Sequence, residues 1–356
     1  MMRRRTWLLA ALAAAGWRPA RALPPRALVF PRDFGSHPEL RTEWWYVTGW
    51  VRSSERVFGL QLTFFRSRVD AAQGLASAFA AKQVVFAHAA LTDVQGRRLW
   101  HDQRIARAGF GVAEAGAADT ALRLRDWTRE RSGDRSSGTY TARLPAMDFA
   151  LALDFAATQP VLLQGAAGLS RKGPEAAQAS YYYSEPQLRA SGALTLQGRR
   201  FAVDGGRAWL DHEWSEALLH PEAVGWDWIG MNLDDGGALT AFRLRRRDGS
   251  ALWAGGSWRA GGTAQATAFA HDAVAWRPLR RWQSPASGAR YGVEWEVATP
   301  AGRFTVHALL DDQELDSSAS TGAIYWEGLS ELRDAAGRAV GRGYLEMTGY
   351  AARLRL

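Results

Sequence analysis

The chain of 356 residues contains no cysteine, which excludes disulfides, thiolate nucleophiles and thiolate metal sites. Its 47% hydrophobic content is enough for sizeable cores, and its length indicates two domains or one unusually large barrel. The formal charge of +8 falls to +3 without residues 1–22, because that segment carries five arginines and no acids. So small a charge excludes the basic patch that nucleic acid requires.

The first predicted element is an export signal at residues 1–22. Arg3, Arg4 and Arg5 form a basic start, residues 6–16 are largely apolar, and residues 20–22 offer small side chains for cleavage. The apolar stretch is too short to span a bilayer. We therefore expect export by a Sec or twin-arginine route, cleavage before Leu23, and a periplasmic protein that does not span the membrane.

Most of the remaining chain alternates apolar and polar residues with a period of two, which is typical of half-buried β-strands. Residues 58–64 carry phenylalanine or leucine at every second position. Similar runs follow at 147–155, 193–203, 226–233, 238–245, 293–308 and 340–350. Glycine-containing turn sequences occur at 197–198, 234–237, 299–302 and 334–338. The pattern predicts an all-β protein made of antiparallel barrels or sandwiches.

A loop rich in glycine, alanine and serine over 164–180 precedes a strand-like run that begins at Tyr181. Helix signals are few, although residues 174–179 could form a turn or two. We place a domain boundary between about 185 and 195. This gives an N-terminal domain over 23–190 and a C-terminal domain over 191–356.

Tryptophan is unusually frequent, with 17 residues in the chain, and several lie in clusters such as Trp44-Trp45-Tyr46 and Trp226-Asp227-Trp228. On a strand, Trp44 and Tyr46 would share one face while Trp45 takes the other. Rings of this size can line a pocket for an apolar ligand. They can equally fill two protein cores, and the sequence leaves both alternatives open.

The segment Asp211-His212-Glu213-Trp214-Ser215 places five consecutive residues of interest on one predicted strand. His212 and Trp214 would share one face, with Asp211 and Glu213 on the other. A histidine beside an aromatic wall, with a carboxylate to fix its tautomer, can act as a general acid or base. The alternative is a histidine that is hydrogen-bonded at a barrel seam and has no catalytic role.

Other polar residues interrupt apolar runs and must have partners, because an unpaired buried charge is costly. Glu43 precedes the first tryptophan cluster, His88 follows Val84-Val85-Phe86-Ala87, and Asp227 lies between two tryptophans. Glu43, His88, His212 and Asp227 could be one another's partners. They would then form either an ionic lock between two barrels or the polar end of an apolar pocket.

Several classes of active site have no signature in the sequence. His212 and His220 are eight residues apart, which does not match the usual spacing of zinc ligands. The chain lacks a Gly-x-Ser-x-Gly elbow, a glycine-rich phosphate loop after a strand and a dinucleotide-binding fingerprint. We therefore predict no metal and no cofactor.

Six segments resemble the AttH-like, carotenoid 1,2-hydratase-type family of lipocalin-like proteins. Two of the motifs are fairly specific to it, Glu-Trp-Trp-Tyr at 43–46 and Asp-His-Glu-Trp at 211–214. The resemblance extends over essentially the whole mature chain, through 30–38, 42–49, 86–93, 211–215, 225–228 and 343–350. It implies two lipocalin-like antiparallel β-barrels packed side by side, in agreement with the all-β pattern.

The resemblance also implies candidate activities and residues. The family includes hydratases that add water to a terminal double bond of acyclic carotenoids, and fungal members that catalyse pericyclic cyclisations. Exported bacterial members often accompany an ABC-type permease system. The hydratases are similar in using a histidine and a tryptophan two residues apart, as His212 and Trp214 are, and Asp227 is the candidate counterpart of their aspartate. Their tyrosine has no match, because no tyrosine occurs between Tyr183 and Tyr291.

Three hypotheses follow. The first is an exported protein that binds a hydrophobic lipid or polyene beside an ABC-type transport system. Its predicted ligand-binding residues are Glu43, Trp44, Trp45, Tyr46, His88, Tyr183, Asp211, Glu213, Trp226 and Trp228. The second is a cofactor-free hydratase or isomerase of polyenes that uses His212, Trp214 and Asp227. The third is a structural envelope protein with two filled barrels and no pocket of ligand size.

Overall fold

A computed structural model describes residues 22–217 and 219–354, and these residues are almost entirely β. They form two large antiparallel sheets, which confirms the predicted all-β, lipocalin-like fold. Two short 3-10 helices, Arg32–Phe34 and Asp70–Ala72, stand outside the sheets. The predicted export signal lies outside the described residues, except for Ala22. Within the described part of the chain, no helix is long and apolar enough to cross a membrane.

The first sheet has fourteen strands. They are β1 (Thr42–Ser53), β2 (Arg56–Arg68), β3 (Gln83–Asp93), β4 (Arg98–Arg107), β5 (Ala113–Ala115), β6 (Ala121–Leu124), β7 (Trp127–Ser132), β8 (Thr139–Pro145), β9 (Phe149–Ala156), β10 (Leu162–Leu163), β11 (Leu169–Arg171), β12 (Ala179–Leu196), β13 (Arg199–Ala202) and β14 (Gly205–Ala217). Their order is β4-β3-β2-β1-β14-β12-β9-β8-β7-β6-β5, and β10, β11 and β13 pair with β12.

The first sheet curls into a nearly closed barrel, because its two ends return towards each other. Arg104 of β4 places its guanidinium 4.5 Å from the ring centre of Trp127 on β7 and donates to the carbonyl oxygen of Pro145 at 2.7 Å. Alternate residues of each strand point inward, as the period-two pattern requires. Phe58, Leu60, Leu62 and Phe64 of β2 are therefore fully buried in the barrel core.

The second sheet has ten strands. They are β15 (Gly225–Leu233), β16 (Ala238–Arg245), β17 (Ala251–Arg259), β18 (Ala266–Ala268), β19 (Ala275–Gln283), β20 (Arg290–Thr299), β21 (Gly302–Ala308), β22 (Glu314–Ser317), β23 (Ala323–Arg333) and β24 (Ala339–Met347). Their order is β18-β17-β16-β15-β24-β23-β21-β20-β19, and β22 pairs with β23. Its own core includes Ile229, Met231, Trp295, Trp326 and Leu345, and we call the sheet around this core the second barrel.

A third apolar cluster joins the two sheets. It consists of residues from the outer faces of both, including Tyr46 and Trp209 from the first and Trp228, Leu329 and Tyr344 from the second. Polar contacts cross at its edges, such as the hydrogen bond that the backbone N–H of Gln187 donates to Asn232 Oδ1 at 2.7 Å. The sheets therefore pack side by side through outward-facing side chains rather than sharing one core.

The chain passes from the first sheet to the second between Ala217 and Gly225. The predicted domain boundary at residues 190 and 191 instead falls inside β12, a strand of 18 residues. The glycine-, alanine- and serine-rich loop before Tyr181 indicated a boundary soon after it. In the structure β12 pairs with β14 within the first sheet, so both strands belong to the same sheet. Residues 174–178 form turns and bends, not a helix.

Candidate functional site

A cavity of about 400 Å³ lies between the two sheets. The first sheet contributes residues of β1, β2, β3, β12 and β14, and the second contributes residues of β15, β16, β23 and β24. Much of the wall is aromatic, formed by Trp44, Tyr46, Phe65, Phe86, Tyr182, Trp226, Trp228, Phe242 and Tyr325. The site is therefore outside both barrels.

Strand alternation decides which aromatic residues reach this cavity. Trp44 and Tyr46 of β1 face it, whereas the intervening Trp45 is 1% exposed and packs in the first barrel. On β15, Trp226 and Trp228 face the cavity in the same way. The Tyr46 and Trp228 rings meet edge to face with centroids 5.3 Å apart, a contact that joins the two sheets.

Four carboxyl side chains converge on the cavity, namely Asp211 and Glu213 of β14, Glu327 of β23 and Glu346 of β24. Asp211, Glu213 and Glu327 are buried, and Glu346 is half-buried. The Tyr182 hydroxyl and the Trp209 indole nitrogen each donate to Asp211 at 2.7 Å, and Ser184 also donates to it. Burial nevertheless raises the pKa of Asp211 to about 7, because these donors only partly offset the loss of water.

Of these four carboxyl residues, Glu213 forms an ion pair with a lysine. Lys172, one of two lysines in the chain, places its ammonium 3.0 Å from Glu213 Oε1. The same ammonium lies 4.6 Å and 4.3 Å from the ring centres of Tyr182 and Phe242. The positive charge of Lys172 is thus held by one carboxylate and two aromatic faces.

Glu327 and Glu346 stand directly opposite each other on the paired strands β23 and β24. Burial and the charge of Glu346 raise the pKa of Glu327 well above its usual range. Burial raises the pKa of Glu346 to about 8, against a hydrogen bond from Trp226. Among the described residues, Glu327 Oε1 and the Tyr46 hydroxyl are buried without a hydrogen-bond partner. Polar groups of this kind are rarely left unsatisfied in a folded protein.

His88 lies at another side of the cavity and is held by the second sheet. Its Nδ1 is 2.9 Å from the Tyr325 hydroxyl and its Nε2 is 2.8 Å from Ser320 Oγ. Burial lowers the pKa of His88 to about 3, so the ring is neutral near pH 7. It serves as a polar link between the sheets.

A second polar cluster lies on the opposite face of β1 and β14, inside the first barrel. Glu43 accepts hydrogen bonds there from Arg66 Nε at 2.8 Å and from the backbone amide of His37, and its carboxylate oxygen lies 2.9 Å from His212 Nε2. The Nδ1 of His37 is 2.7 Å from Glu43, and its Nε2 is 2.9 Å from Asp33. The cluster ties the segment before β1 to the barrel.

The ionisation of the cluster follows from these contacts. Burial would raise the pKa of Glu43, but hydrogen bonds from His212 and His37 outweigh it and hold this pKa well below its usual range. Burial lowers the pKa of His212 to about 4 despite the nearby Glu43. Asp33 and Glu43 together raise the pKa of His37 above its ordinary value, in opposition to burial. Because both ring nitrogens of His37 face carboxylates, its charged form is favoured, whereas His212 is neutral at pH 7.

His37, Glu43 and His212 bring three potential metal-ligand atoms within 4.8 Å of one another. The two histidine nitrogens lie only 2.7 Å and 2.9 Å from the same carboxylate oxygen. Ligand atoms around a tetrahedral zinc ion are roughly 3.3 Å apart. Arg66 also holds a positive charge against that carboxylate. The geometry is that of a hydrogen-bonded ion cluster.

Of the three residues suggested for catalysis, two lie together and the third, Asp227, lies elsewhere. His212 and Trp214 share a face inside the first barrel, with ring centres 4.6 Å apart, and Trp214 stacks on His37 at 3.9 Å. Asp227 lies inside the second barrel, where Arg243 and Arg245 bind it at 2.7 Å and 3.1 Å. Of the partnerships expected among Glu43, His88, His212 and Asp227, the structure forms the one between Glu43 and His212.

The predicted ligand-binding residues divide by strand face. The cavity is bordered by Glu43, Trp44, Tyr46, His88, Asp211, Glu213, Trp226 and Trp228, although the carboxylate of Glu43 pairs inside the barrel. Trp45 and Tyr183 face the first barrel. Sequence reasoning missed Lys172, Tyr182, Glu327 and Glu346. The signal that singled out Glu43, an acid within an apolar run, is also present at Glu327 and Glu346.

Both the sequence and the fold are similar to those of known proteins. The family model described as AttH-like matches residues 21–350. A crystal structure of a protein from Nitrosomonas europaea assigned to AttH is similar at 46% identity and a TM-score of 0.85, covering 93% of this chain and 99% of that one. No functionally curated protein matches the sequence.

Two more distant structures share the fold. Kievitone hydratase from Nectria haematococca is 13% identical with a TM-score of 0.64, over 92% of this chain and 94% of that one. CghA is 14% identical with a TM-score of 0.55, over 93% and 94% of the two chains. At these identities the likeness concerns the fold alone.

Proposed function

The chain belongs to the AttH-like family, and from this premise we propose that it binds a small hydrophobic molecule, a lipid or a polyene, in the cavity between its sheets. The observation that carries the proposal is the aromatic wall that both sheets build around about 400 Å³. Pockets for small molecules are commonly of this size and this apolar character. A structural protein with two filled barrels would not need such a cavity.

The affinity would come from burial of apolar ligand surface, at about 25 cal/mol/Å² before the cost of immobilising the ligand. The aromatic rings supply this surface at low cost in side-chain entropy, because each has only two rotatable side-chain torsions. His88 and the carboxyl groups would contact the polar end of the ligand. Because the wall comes from two sheets, the affinity depends on the packing between them.

The test uses diphenylhexatriene, a neutral polyene whose fluorescence increases in apolar surroundings. We expect saturable binding with energy transfer from tryptophan. Trp226→Ala removes a cavity wall and should weaken binding at least tenfold. Trp50→Ala is the matched control, because Trp50 is a half-buried tryptophan of the same apolar cluster that does not line the cavity. Absence of saturable binding by the wild-type protein, or equal losses in both variants, would overturn the proposal.

We also propose that the protein acts in the periplasm, beside an ABC-type permease. The support is the basic and apolar start of the sequence at residues 3–16, together with the family resemblance. Amino-terminal sequencing of protein from the periplasmic fraction tests the location. A mature start at Leu23 is expected, and an intact Met1 in the cytoplasmic fraction would contradict it.

A second candidate function is acid-catalysed hydration or isomerisation of a polyene. The observation that favours it is the set of carboxyl groups in the aromatic cavity, where burial raises the pKa to about 7 for Asp211 and to about 8 for Glu346. Such an acid could transfer its proton to a double bond, and the rings would stabilise the carbocation. Water would then add to the cation and return a proton to the carboxylate. These candidate acids, Asp211 and Glu346, line the cavity. His212 and Asp227, the candidates from the sequence, face the barrel interiors instead.

Incubation of an acyclic carotenoid with the protein in ¹⁸O-labelled water tests this activity. Hydration would place ¹⁸O in the product, and Glu346→Gln should abolish the incorporation. Glu331→Gln, at a half-buried position of β23 that does not line the cavity, is the control. Turnover that is unchanged in Glu346→Gln would exclude Glu346 as the acid.

A further inference from the structure

The cavity contains more acidic than basic groups. Asp211, Glu213, Glu327 and Glu346 could contribute four negative charges, and Lys172 contributes one positive charge that Glu213 already holds at 3.0 Å. The guanidinium of Arg66 also borders the cavity, but it donates to Glu43 and to the backbone carbonyl groups of His37 and Leu40. Neither cation is available to compensate Asp211, Glu327 or Glu346.

Two unsatisfied atoms show where a ligand group would be received. Glu327 is 2% exposed and Tyr46 is 7% exposed, and both line the cavity. The two side chains are neighbours, yet neither Glu327 Oε1 nor the Tyr46 hydroxyl makes a hydrogen bond of normal geometry among the described residues. Glu327 faces Glu346 across the strand pair, so both groups can ionise together only when a cation compensates them. These positions favour a hydrogen-bond donor that also carries positive charge.

The aromatic wall has the same preference. The rings of Tyr46, Trp226, Trp228 and Tyr325 line the same cavity as the acidic residues, and ring faces attract cations. Lys172 illustrates this within the cavity, since its ammonium lies against the rings of Tyr182 and Phe242. A second ammonium group would find both a carboxylate and ring faces.

We propose that the ligand of this cavity is an apolar molecule with one protonated amino group, held by Glu327 and Glu346 against the rings of Tyr46 and Trp228. This proposal rests on the proposed binding function and names the ligand class. An anionic lipid would add to the negative charge of the site. A neutral ligand would leave both carboxyl groups protonated and would form no ion pair, so the anionic and the neutral ligand are both expected to bind more weakly than the amine.

The experiment compares three probes with the same twelve-carbon chain, dodecylamine, 1-dodecanol and dodecanoate, as competitors that displace diphenylhexatriene from the full-length protein. We expect dodecylamine to displace it at a concentration at least tenfold lower than dodecanol, and dodecanoate to be the weakest. In Glu327→Gln/Glu346→Gln the advantage of the amine should fall below threefold. Glu331→Gln, the control on the same strand, should retain it.

The outcomes separate this proposal from the binding function. If dodecanol or dodecanoate displaces the probe as well as the amine does, the cavity binds apolar ligands but the amine proposal is wrong. The same conclusion follows if the double variant retains the full preference. If diphenylhexatriene itself does not bind, the binding function fails first. Circular dichroism verifies the fold of each variant, and Glu327→Gln alone replaces the double variant if that one is misfolded.

Discussion

Glu43 shows how one buried charge can hold a segment in place. Its carboxylate is fully buried and is surrounded by Arg66, His37 and His212 within hydrogen-bonding distance. Burial of a carboxylate is tolerated only when such partners replace water. The Glu-Trp-Trp-Tyr motif therefore begins with a structural residue, and the ligand-facing positions follow it.

Replacement of Glu43 by glutamine should destabilise the protein strongly. The shape is kept, but Arg66 and the charged His37 lose their compensating charge, and removal of one partner of a buried pair costs about 3–5 kcal/mol. Urea unfolding should show this decrease in the free energy of unfolding. Glu55→Gln, at an exposed position, is the control. An unchanged midpoint for Glu43→Gln would mean that the cluster contributes little.

In contrast to the charge of Glu43, the charge of Glu346 should destabilise the folded protein. Its pKa is raised from 4.5 to about 8, so the folded state binds the proton more tightly than the unfolded state does. Stability is therefore lost as the pH rises from 4.5 towards 8, and the loss persists above pH 8. Asp211, Glu213 and Asp227 contribute to this shift, and Glu327 and Tyr46 also face the site.

A glutamine at position 346 cannot ionise, so Glu346→Gln should remove this loss of stability at high pH. The stability advantage of the variant over the wild type should grow by roughly 2 kcal/mol between pH 6 and pH 9. Thermal unfolding at the two pH values measures it, with Glu331→Gln as the control that should show no such trend. An advantage that does not change with pH would show that Glu346 titrates normally.

At the scale of elements, strand alternation gives neighbouring residues different functions. On β14, Asp211 and Glu213 face the cavity while His212 and Trp214 are in the first barrel. On β15, Trp226 and Trp228 face the cavity while Asp227 is bound by arginines of the second barrel. One strand thus separates ligand contacts from core contacts, residue by residue.

Two adjacent tryptophans on β1 test this division. Trp45→Ala empties a site in the first barrel and should lower the free energy of unfolding by about 3–5 kcal/mol. Its affinity for diphenylhexatriene should stay within twofold of the wild type. Trp44→Ala should instead weaken binding about tenfold with a small loss of stability, because Trp44 is half-buried in the cavity wall. Equal effects of the two substitutions on binding would contradict the assignment of faces.

At the scale of the whole molecule, the two sheets form one structure through the cluster between them. Leu329 of β23 is fully buried in that cluster. Its neighbours include Gly59 of the first sheet, where an added Cβ would lie 2.9 Å from Leu329 Cβ. Close packing of this kind couples the stability of one sheet to that of the other.

Leu329→Ala should therefore destabilise both sheets together. The cavity left by a buried leucine costs about 2–5 kcal/mol. Hydrogen exchange measured by mass spectrometry should show equal losses of protection in peptides from β9 and from β20, which lie in different barrels. Leu279→Ala, at an exposed leucine, is the control. A loss confined to β20 would mean that the sheets unfold independently.

The sequence by itself determined the all-β fold and the faces of many strands, because a period of two is a local property that each strand displays along its own length. Most of the aromatic residues proposed for a ligand site were identifiable in this way. Only the tertiary structure decided that the cavity lies between the sheets and that Trp45, Tyr183, His212 and Asp227 face barrel interiors. It also brought Asp211 towards Glu327 and Glu346, more than 100 residues later in the chain. Local periodicity does not encode such meetings, since they depend on which outer faces pack together.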